Sequence, residues 1–77
     1  MGDLDRIRWR CRRGLLELDL ILKRFLENHF DLLDAGQRDL FNQLLDESDN
    51  DLLDWALGRG EPRDPRYLPV IELLRAV

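Results

Sequence analysis

The stretch that decides the fold is GLLELDLILKRFLENHFD, residues 14–31. Its apolar residues recur every three or four positions, so Leu18, Leu22 and Phe25 fall on one side of a helical wheel drawn at roughly 100° per residue. This pattern predicts a helix over residues 15–31 with a wide buried face. The predicted face holds Leu15, Leu18, Leu22, Phe25, Leu26 and His29, widened by Leu16, Leu20 and Phe30.

A shorter helix is predicted before this stretch. Leu4, Ile7 and Cys11 recur at helical spacing, and Asp3 is suited to be the N-cap. Gly14 separates this helix from the next one, because glycine costs about 1 kcal/mol in a helix interior.

Three further helices are predicted after residue 31. Asp34 and Gln37 fit a capping box before a stripe of Leu40, Phe41, Leu44 and Leu45. A fourth helix is capped by Ser48 or Asp49, stops at Gly58 and Gly60, and carries Leu52, Leu53, Trp55, Ala56 and Leu57. A fifth starts between Pro65 and Pro69 and carries Val70, Ile71, Leu73 and Leu74. We therefore expect an all-α, five-helix bundle that forms one domain over residues 1–77.

Composition limits the possible functions. The chain has 77 residues, 44% hydrophobic and 36% charged, which is typical of a small globular domain. One cysteine and one histidine allow no internal disulfide and make a zinc site improbable, so no metal is expected. We find no apolar run long enough for a membrane span and no signal-peptide pattern, and therefore expect a cytoplasmic protein without an integral membrane segment.

The charge is distributed unevenly. Residues 1–13 hold five arginines and two aspartates, a net charge of +3, whereas residues 14–77 hold seven basic and fourteen acidic side chains, a net charge of −7. The acidic remainder argues against nucleic-acid binding, which requires a basic face. A nucleic-acid binder that uses the arginine-rich first helix is kept as an alternative.

Catalytic chemistry has little support, and no catalytic residue is predicted. Cys11 lies on the apolar stripe of the first helix, where a small buried side chain is more common than a reactive thiol. His29 is a lone imidazole on the predicted core face, where a structural role is the simpler interpretation. Direct catalysis would have to use His29 as its general base.

The first helix carries a candidate binding surface. Arg6, Trp9, Arg10 and Arg13 share the face opposite Leu4, Ile7 and Cys11, so Trp9 is expected to be partly exposed among arginines. Trp and Arg are enriched in binding hot spots. Trp9 could equally stack on an arginine or pack on a neighbouring helix without further function.

Gly14 and Glu17 admit two interpretations. Gly14 can be the N-cap of the second helix, with Glu17 at N3 completing a capping box. Alternatively, a glycine between Arg13 and Glu17 lets a partner backbone approach closely. We expect Arg13 to lie on an exposed helix end, where its removal changes stability by no more than about 0.5 kcal/mol.

The motif Arg13-Gly14-Leu15-Leu16-Glu17 resembles the R-G-x-x-E motif of the succinate dehydrogenase flavinylation-factor family, the small FAD assembly factors of bacteria and their mitochondrial relatives. The segment RRGLLELDLIL, residues 12–22, resembles the family's most recognisable segment, and LLDESDNDLLDW, residues 44–55, resembles its acidic second block. The similarity weakens after residue 60. The chain begins close to the motif, so a bacterial member is expected.

The resemblance implies an assembly factor and not an enzyme. Such a factor binds the flavoprotein subunit of succinate dehydrogenase, or of fumarate reductase, and promotes covalent attachment of FAD to a histidine of that subunit. The resemblance implies that the partner is contacted by Arg13, Gly14 and Glu17, with Arg12 and Asp19 as weaker candidates. The candidate surface on the first helix adds Trp9 and Arg10. We expect no tight independent FAD site, because a bundle this small would have to hollow its core to hold a flavin. An antitoxin role, described for some family members, stays open as an alternative.

Overall fold

The computed structural model describes residues 2–76 and forms five α-helices. They are α1 (Asp3–Arg10), α2 (Leu16–Asn28), α3 (Ala35–Leu44), α4 (Asp49–Ala56) and α5 (Leu68–Arg75), with single 3₁₀ turns at Phe30–Leu32 and Pro65–Tyr67. No strand occurs within these residues, so the predicted all-α five-helix architecture is confirmed. In the same part of the chain, no helix has both the length and the apolar character needed to cross a bilayer.

Helix α2 lies at the centre of the bundle and packs against α4 and α5. Leu18, Leu22 and Phe25 are fully buried, as predicted. The Phe25 ring lies 4.7 Å from that of Phe41 on α3, and Phe30 meets Phe41 edge-on at 6.3 Å between centroids. Three aromatic rings from separate segments therefore form the middle of the core.

Two of the residues predicted to widen the buried face of α2 are exposed instead. Leu16 is 75% exposed and Leu20 is also exposed. Each is two residues from Leu18, so each points about 200° away from the buried stripe. The helix also ends at Asn28, before the predicted residue 31, and Phe30 is buried through the following 3₁₀ turn.

Local capping chemistry sets the starts of α3 and α4. The Asp34 carboxylate accepts a hydrogen bond from Gln37 N at 2.8 Å, and the Gln37 side chain accepts one from Asp34 N at 3.1 Å. This confirms the predicted capping box. Ser48 is the N-cap of α4, its hydroxyl accepting from Asp51 N at 3.2 Å. At the other end of α4, Leu57 is the C-cap and is exposed, which corrects its assignment to the apolar stripe.

Helix α1 begins and ends earlier than predicted. Gly2 is the N-cap, so Asp3 is the first helical residue and not the cap. The helix stops at Arg10, and residues 11–15 form a non-helical joint that leads into α2. Gly14 has φ +80°, a left-handed conformation that favours glycine.

The Cys11 thiol is buried at the start of the joint, only 5% exposed. Burial raises its pKa to about 12, although the nearby Arg13 and Arg10 charges oppose that rise. We therefore expect Cys11 in the folded protein to react with a disulfide reagent at pH 8 at least about a hundredfold more slowly than in denaturant, since only the thiolate attacks. Equal rates with and without denaturant would contradict a structural role for this thiol.

Candidate partner-binding site

The Arg13 side chain turns inward and binds the segment between α3 and α4. Its Nε donates to the Asp49 carboxylate at 2.6 Å, Nη1 to the Leu45 carbonyl at 2.6 Å, and Nη2 to the Glu47 carbonyl at 2.9 Å. A fourth bond joins Nη1 to the Arg10 carbonyl at 3.2 Å. The side chain is only 16% exposed. These contacts connect the joint to the acidic second block.

This geometry corrects the expectation for Arg13. The guanidinium does not lie free on an exposed helix end, and its removal would leave three carbonyls and a carboxylate without their donor. An unpaired, partly buried acceptor costs about 1–3 kcal/mol. Arg13 is therefore a structural residue, and any partner contact it makes uses only the small part of the side chain that solvent reaches.

Arg10 is similarly engaged. It donates to the Asn42 carbonyl at 2.9 Å, hydrogen-bonds the Asn42 side chain and forms an ion pair with Asp46. Arg10 and Arg13 thus face the α3–α4 region, whereas Trp9 faces solvent. The single face predicted for Arg6, Trp9, Arg10 and Arg13 is therefore divided. Arg10 lies about 100° from Trp9 around α1, and α1 ends before Arg13, where the joint redirects that side chain.

Trp9 is 67% exposed, which confirms the predicted exposure. The Arg12 guanidinium lies 5.6 Å from the centre of its ring, a cation–π contact. A shallow depression between them is also lined by Asp5 and Arg8. An indole with a cation beside it is thereby presented to solvent.

Asp19 holds the joint in place. Its carboxylate accepts from Arg13 N at 2.8 Å and from Gly14 N at 3.3 Å. Sequence reasoning gave Asp19 a weaker role than Glu17, although an acidic residue in the first turn of a helix is itself a signal for such a contact.

The predicted capping box between Gly14 and Glu17 is wrong. Leu15 is the N-cap of α2 and makes no side-chain cap, so Glu17 occupies the second helical position and not the third. Glu17 is exposed, and among residues 2–76 no group lies within hydrogen-bond or ion-pair distance of its carboxylate. Gly14 is also exposed, and a Cβ built on it meets no atom within 4 Å.

The exposed residues of this region form what we call the joint surface: Trp9, Arg12, Gly14, Leu16 and Glu17. Sequence reasoning missed Leu16, which it assigned to the core. The joint surface combines an aromatic ring, a cation, an exposed leucine, the accessible backbone of a glycine and an anion. This chemistry favours binding of another molecule.

The two side chains considered for catalysis are not part of the joint surface. Cys11 is buried, and His29 is half-buried with its ring 6.0 Å from that of Phe25. Across the described part of the chain, no group of three or more His, Cys, Asp or Glu side chains is arranged to hold a metal ion.

Comparison with known proteins decides the family. Residues 5–77 match the sequence model of the family described as flavinator of succinate dehydrogenase. The chain belongs to this family. The match to the flavinator family thus covers almost the whole chain, including the joint and the acidic segment bound by Arg13.

Bacterial proteins named as FAD assembly factors also align with this chain over most of its length and of their own. The chain is 44% identical over 70 residues to the FAD assembly factor SdhE of Coxiella burnetii, covering 91% of this chain and 85% of that protein. It is 40% identical over 71 residues to FAD assembly factor SdhE of Legionella pneumophila strain Lens, covering 92% and 89%. The protein of that name from Pasteurella multocida is 41% identical over 70 residues, with 91% and 83% coverage.

Proposed function

We propose that this protein is an assembly factor that binds the flavoprotein subunit of succinate dehydrogenase, or of fumarate reductase, and promotes covalent attachment of FAD to it. Membership of the flavinator family and the names of the bacterial relatives support this function. The protein acts as a binding partner and not as an enzyme, and the cytoplasm is its proposed location.

The observation that carries the proposal is the unpaired carboxylate of Glu17 beside the open Gly14 backbone. With no hydrogen-bond or ion-pair partner, this exposed carboxylate supports the fold only through the weak electrostatic benefit of an acidic residue in the first turn of α2, so its place in the motif favours an external partner. The absence of a side chain at Gly14 leaves room for a partner backbone. Arg12 and Trp9 extend the same surface with residue types that dominate binding energy.

Binding can promote flavin attachment without a catalytic group. A factor that binds one domain arrangement of the flavoprotein more tightly than the others raises the population of that arrangement. The bond-forming chemistry is then supplied by the flavin and the acceptor histidine of the subunit. The contribution of this chain is the complementary surface.

The arginine contacts also argue against the nucleic-acid alternative. Two of the five arginines in residues 1–13, Arg10 and Arg13, are bound to α3 and to the segment that follows it. A phosphate backbone would have to compete with Asp46 and Asp49 for these cations.

The test is Glu17→Gln, which removes the charge and preserves the size. In cells that lack their own assembly factor, we expect covalent flavin on the flavoprotein subunit to fall at least about tenfold, because loss of a hot-spot contact costs roughly 2 kcal/mol. In-gel flavin fluorescence measures it, and thermal melts check the fold. Glu27→Gln, an exposed glutamate on the same helix, is the matched control and retains full flavinylation.

Undiminished flavinylation by Glu17→Gln would refute the role of the joint surface. Arg12→Ala provides a second, independent change on that surface, with the exposed Arg24→Ala on α2 as its control. We expect the Arg12 variant to lose flavinylation and the Arg24 variant to keep it.

A further inference from the structure

Two acidic side chains from different helices hold Arg13 from opposite sides. Asp19, in the first turn of α2, accepts a hydrogen bond from the backbone N–H of Arg13 at 2.8 Å and one from that of Gly14 at 3.3 Å. Asp49, the first residue of α4, accepts one from the Arg13 guanidinium at 2.6 Å. The joint is therefore fixed to α2 through its backbone and to α4 through a side chain.

The backbone of the joint has few other supports. Arg12 N donates to the Trp9 carbonyl at 3.1 Å, but among residues 2–76 no backbone carbonyl accepts from the N–H of Arg13 or of Gly14. Gly14 has φ +80°, and an unrestrained glycine adopts positive and negative φ about equally readily. The bonds to Asp19 and the anchored side chain of Arg13 therefore select this conformation of Gly14 from the many that glycine can adopt.

The two carboxylates differ from Glu17 in what they bind. Asp19 is half-buried and uses both of its oxygens inside the chain, and Asp49 is also half-buried and paired with Arg13. Glu17 is exposed and has no such contact among the described residues. The geometry thus separates side chains that shape the joint from a side chain that faces solvent.

The order of the joint affects how tightly its surface can bind. When only a fraction of the molecules holds the binding conformation, the apparent dissociation constant rises by the inverse of that fraction. A segment that is already ordered before binding avoids this loss. Side chains that fix Gly14 relative to Glu17 therefore raise affinity without touching the partner.

We propose that Asp19 and Asp49 are positioning residues of the joint surface. They act through Arg13 to hold Gly14 and Glu17 in the arrangement that binds the flavoprotein subunit. The inference rests on the proposed function and deepens it. It gives Asp19 a positioning role in place of partner contact, and it assigns a role to Asp49, which lies 36 residues from Arg13 in the sequence.

The first measurement is ¹⁵N relaxation of the free chain, which needs no partner. We expect a backbone order parameter of about 0.85 for Gly14 in the wild type, as in rigid backbone, and a value below about 0.6 in Asp19→Asn. The Asn side chain offers one acceptor oxygen to two N–H groups. Asp49→Asn should lower the value less, because the bonds from Arg13 to backbone carbonyls remain. Asp51→Asn, an exposed acidic residue in the same first turn of α4, is the matched control and leaves Gly14 rigid.

The second measurement is the affinity of the same variants for the purified flavoprotein subunit, by isothermal titration calorimetry. We expect Asp19→Asn to weaken binding at least about fivefold and Asp49→Asn at least about threefold, as the population of the binding conformation falls. Asp49→Glu keeps the carboxylate and should recover most of the affinity. Ile71→Val, a buried change on α5, lowers stability away from the joint and should preserve both the affinity and the order of Gly14.

The outcomes separate positioning from a general loss of stability. An order parameter or an affinity that stays at the wild-type value in Asp19→Asn and Asp49→Asn would overturn the proposal. So would equal losses of affinity in Ile71→Val and Asp19→Asn, because stability alone would then account for them. A wild-type chain that does not bind the subunit would refute the proposed function itself. The two failures are told apart because only the second abolishes binding by the wild type.

Discussion

Arg13→Ala is expected to lower the free energy of unfolding by about 2–3 kcal/mol and the melting temperature by about 10–20 °C. The change removes four hydrogen bonds made by a side chain that is only 16% exposed. It also leaves the Leu45 and Glu47 carbonyls and the Asp49 carboxylate without this donor. Thermal and urea unfolding followed by circular dichroism measure the effect.

The neighbouring Arg12→Ala is the matched control. Arg12 is exposed and its guanidinium lies beside the exposed Trp9 ring, so its removal should change stability by no more than about 0.5 kcal/mol. Arg13→Lys should fall between the two, because an ammonium keeps the charge but cannot reach all four acceptors with the same fork. Equal melting temperatures for Arg12→Ala and Arg13→Ala would show that the Arg13 hydrogen bonds do not support the fold.

Phe41→Ala is expected to have the largest effect on stability, about 3–5 kcal/mol. The Phe41 ring is fully buried between Phe25 and Phe30, and its loss leaves a cavity at the point where three segments meet. A domain of this size has a total stability of about 4–12 kcal/mol, so the variant loses roughly a quarter of its stability or more. Differential scanning calorimetry measures the loss.

Leu32→Ala provides the comparison for Phe41→Ala. Leu32 is a large apolar residue, but it is exposed on the 3₁₀ turn, and its truncation should cost no more than about 0.5 kcal/mol. A loss below about 1 kcal/mol for Phe41→Ala would mean that the aromatic cluster is not the centre of the core.

The parts of the fold that depend on local chemistry could be predicted from the sequence. Asp34 and Gln37 lie three residues apart and complete their capping box with no help from the rest of the chain. Leu18, Leu22 and Phe25 are also identified by spacing alone. Leu16 and Leu20 differ from the prediction because their angle on the helix, and not their apolar type, decides their exposure.

The candidate site could be located from the sequence, but its internal geometry could not. The motif identifies the joint, and Gly14 adopts the conformation that glycine favours. The acceptors of Arg13, however, are mostly backbone carbonyls 32 and 34 residues away, and carbonyls carry no sequence signal. The partners of Asp19 are backbone N–H groups, which also carry no sequence signal, so the motif alone could not show whether Glu17 or Asp19 holds the joint before α2.

The Arg13 hydrogen bonds also bear on the order of folding. Each helix can form locally in about a microsecond, whereas the bonds from Arg13 to Leu45 and Asp49 close loops of 32 and 36 residues. Because contacts this distant in sequence form slowly, we expect these bonds to form on the native side of the folding barrier. Interactions absent from the transition state slow unfolding without speeding folding. On this expectation, the arginine of the motif lengthens the time for which each folded molecule persists, and with it the time during which the joint surface is available to a partner.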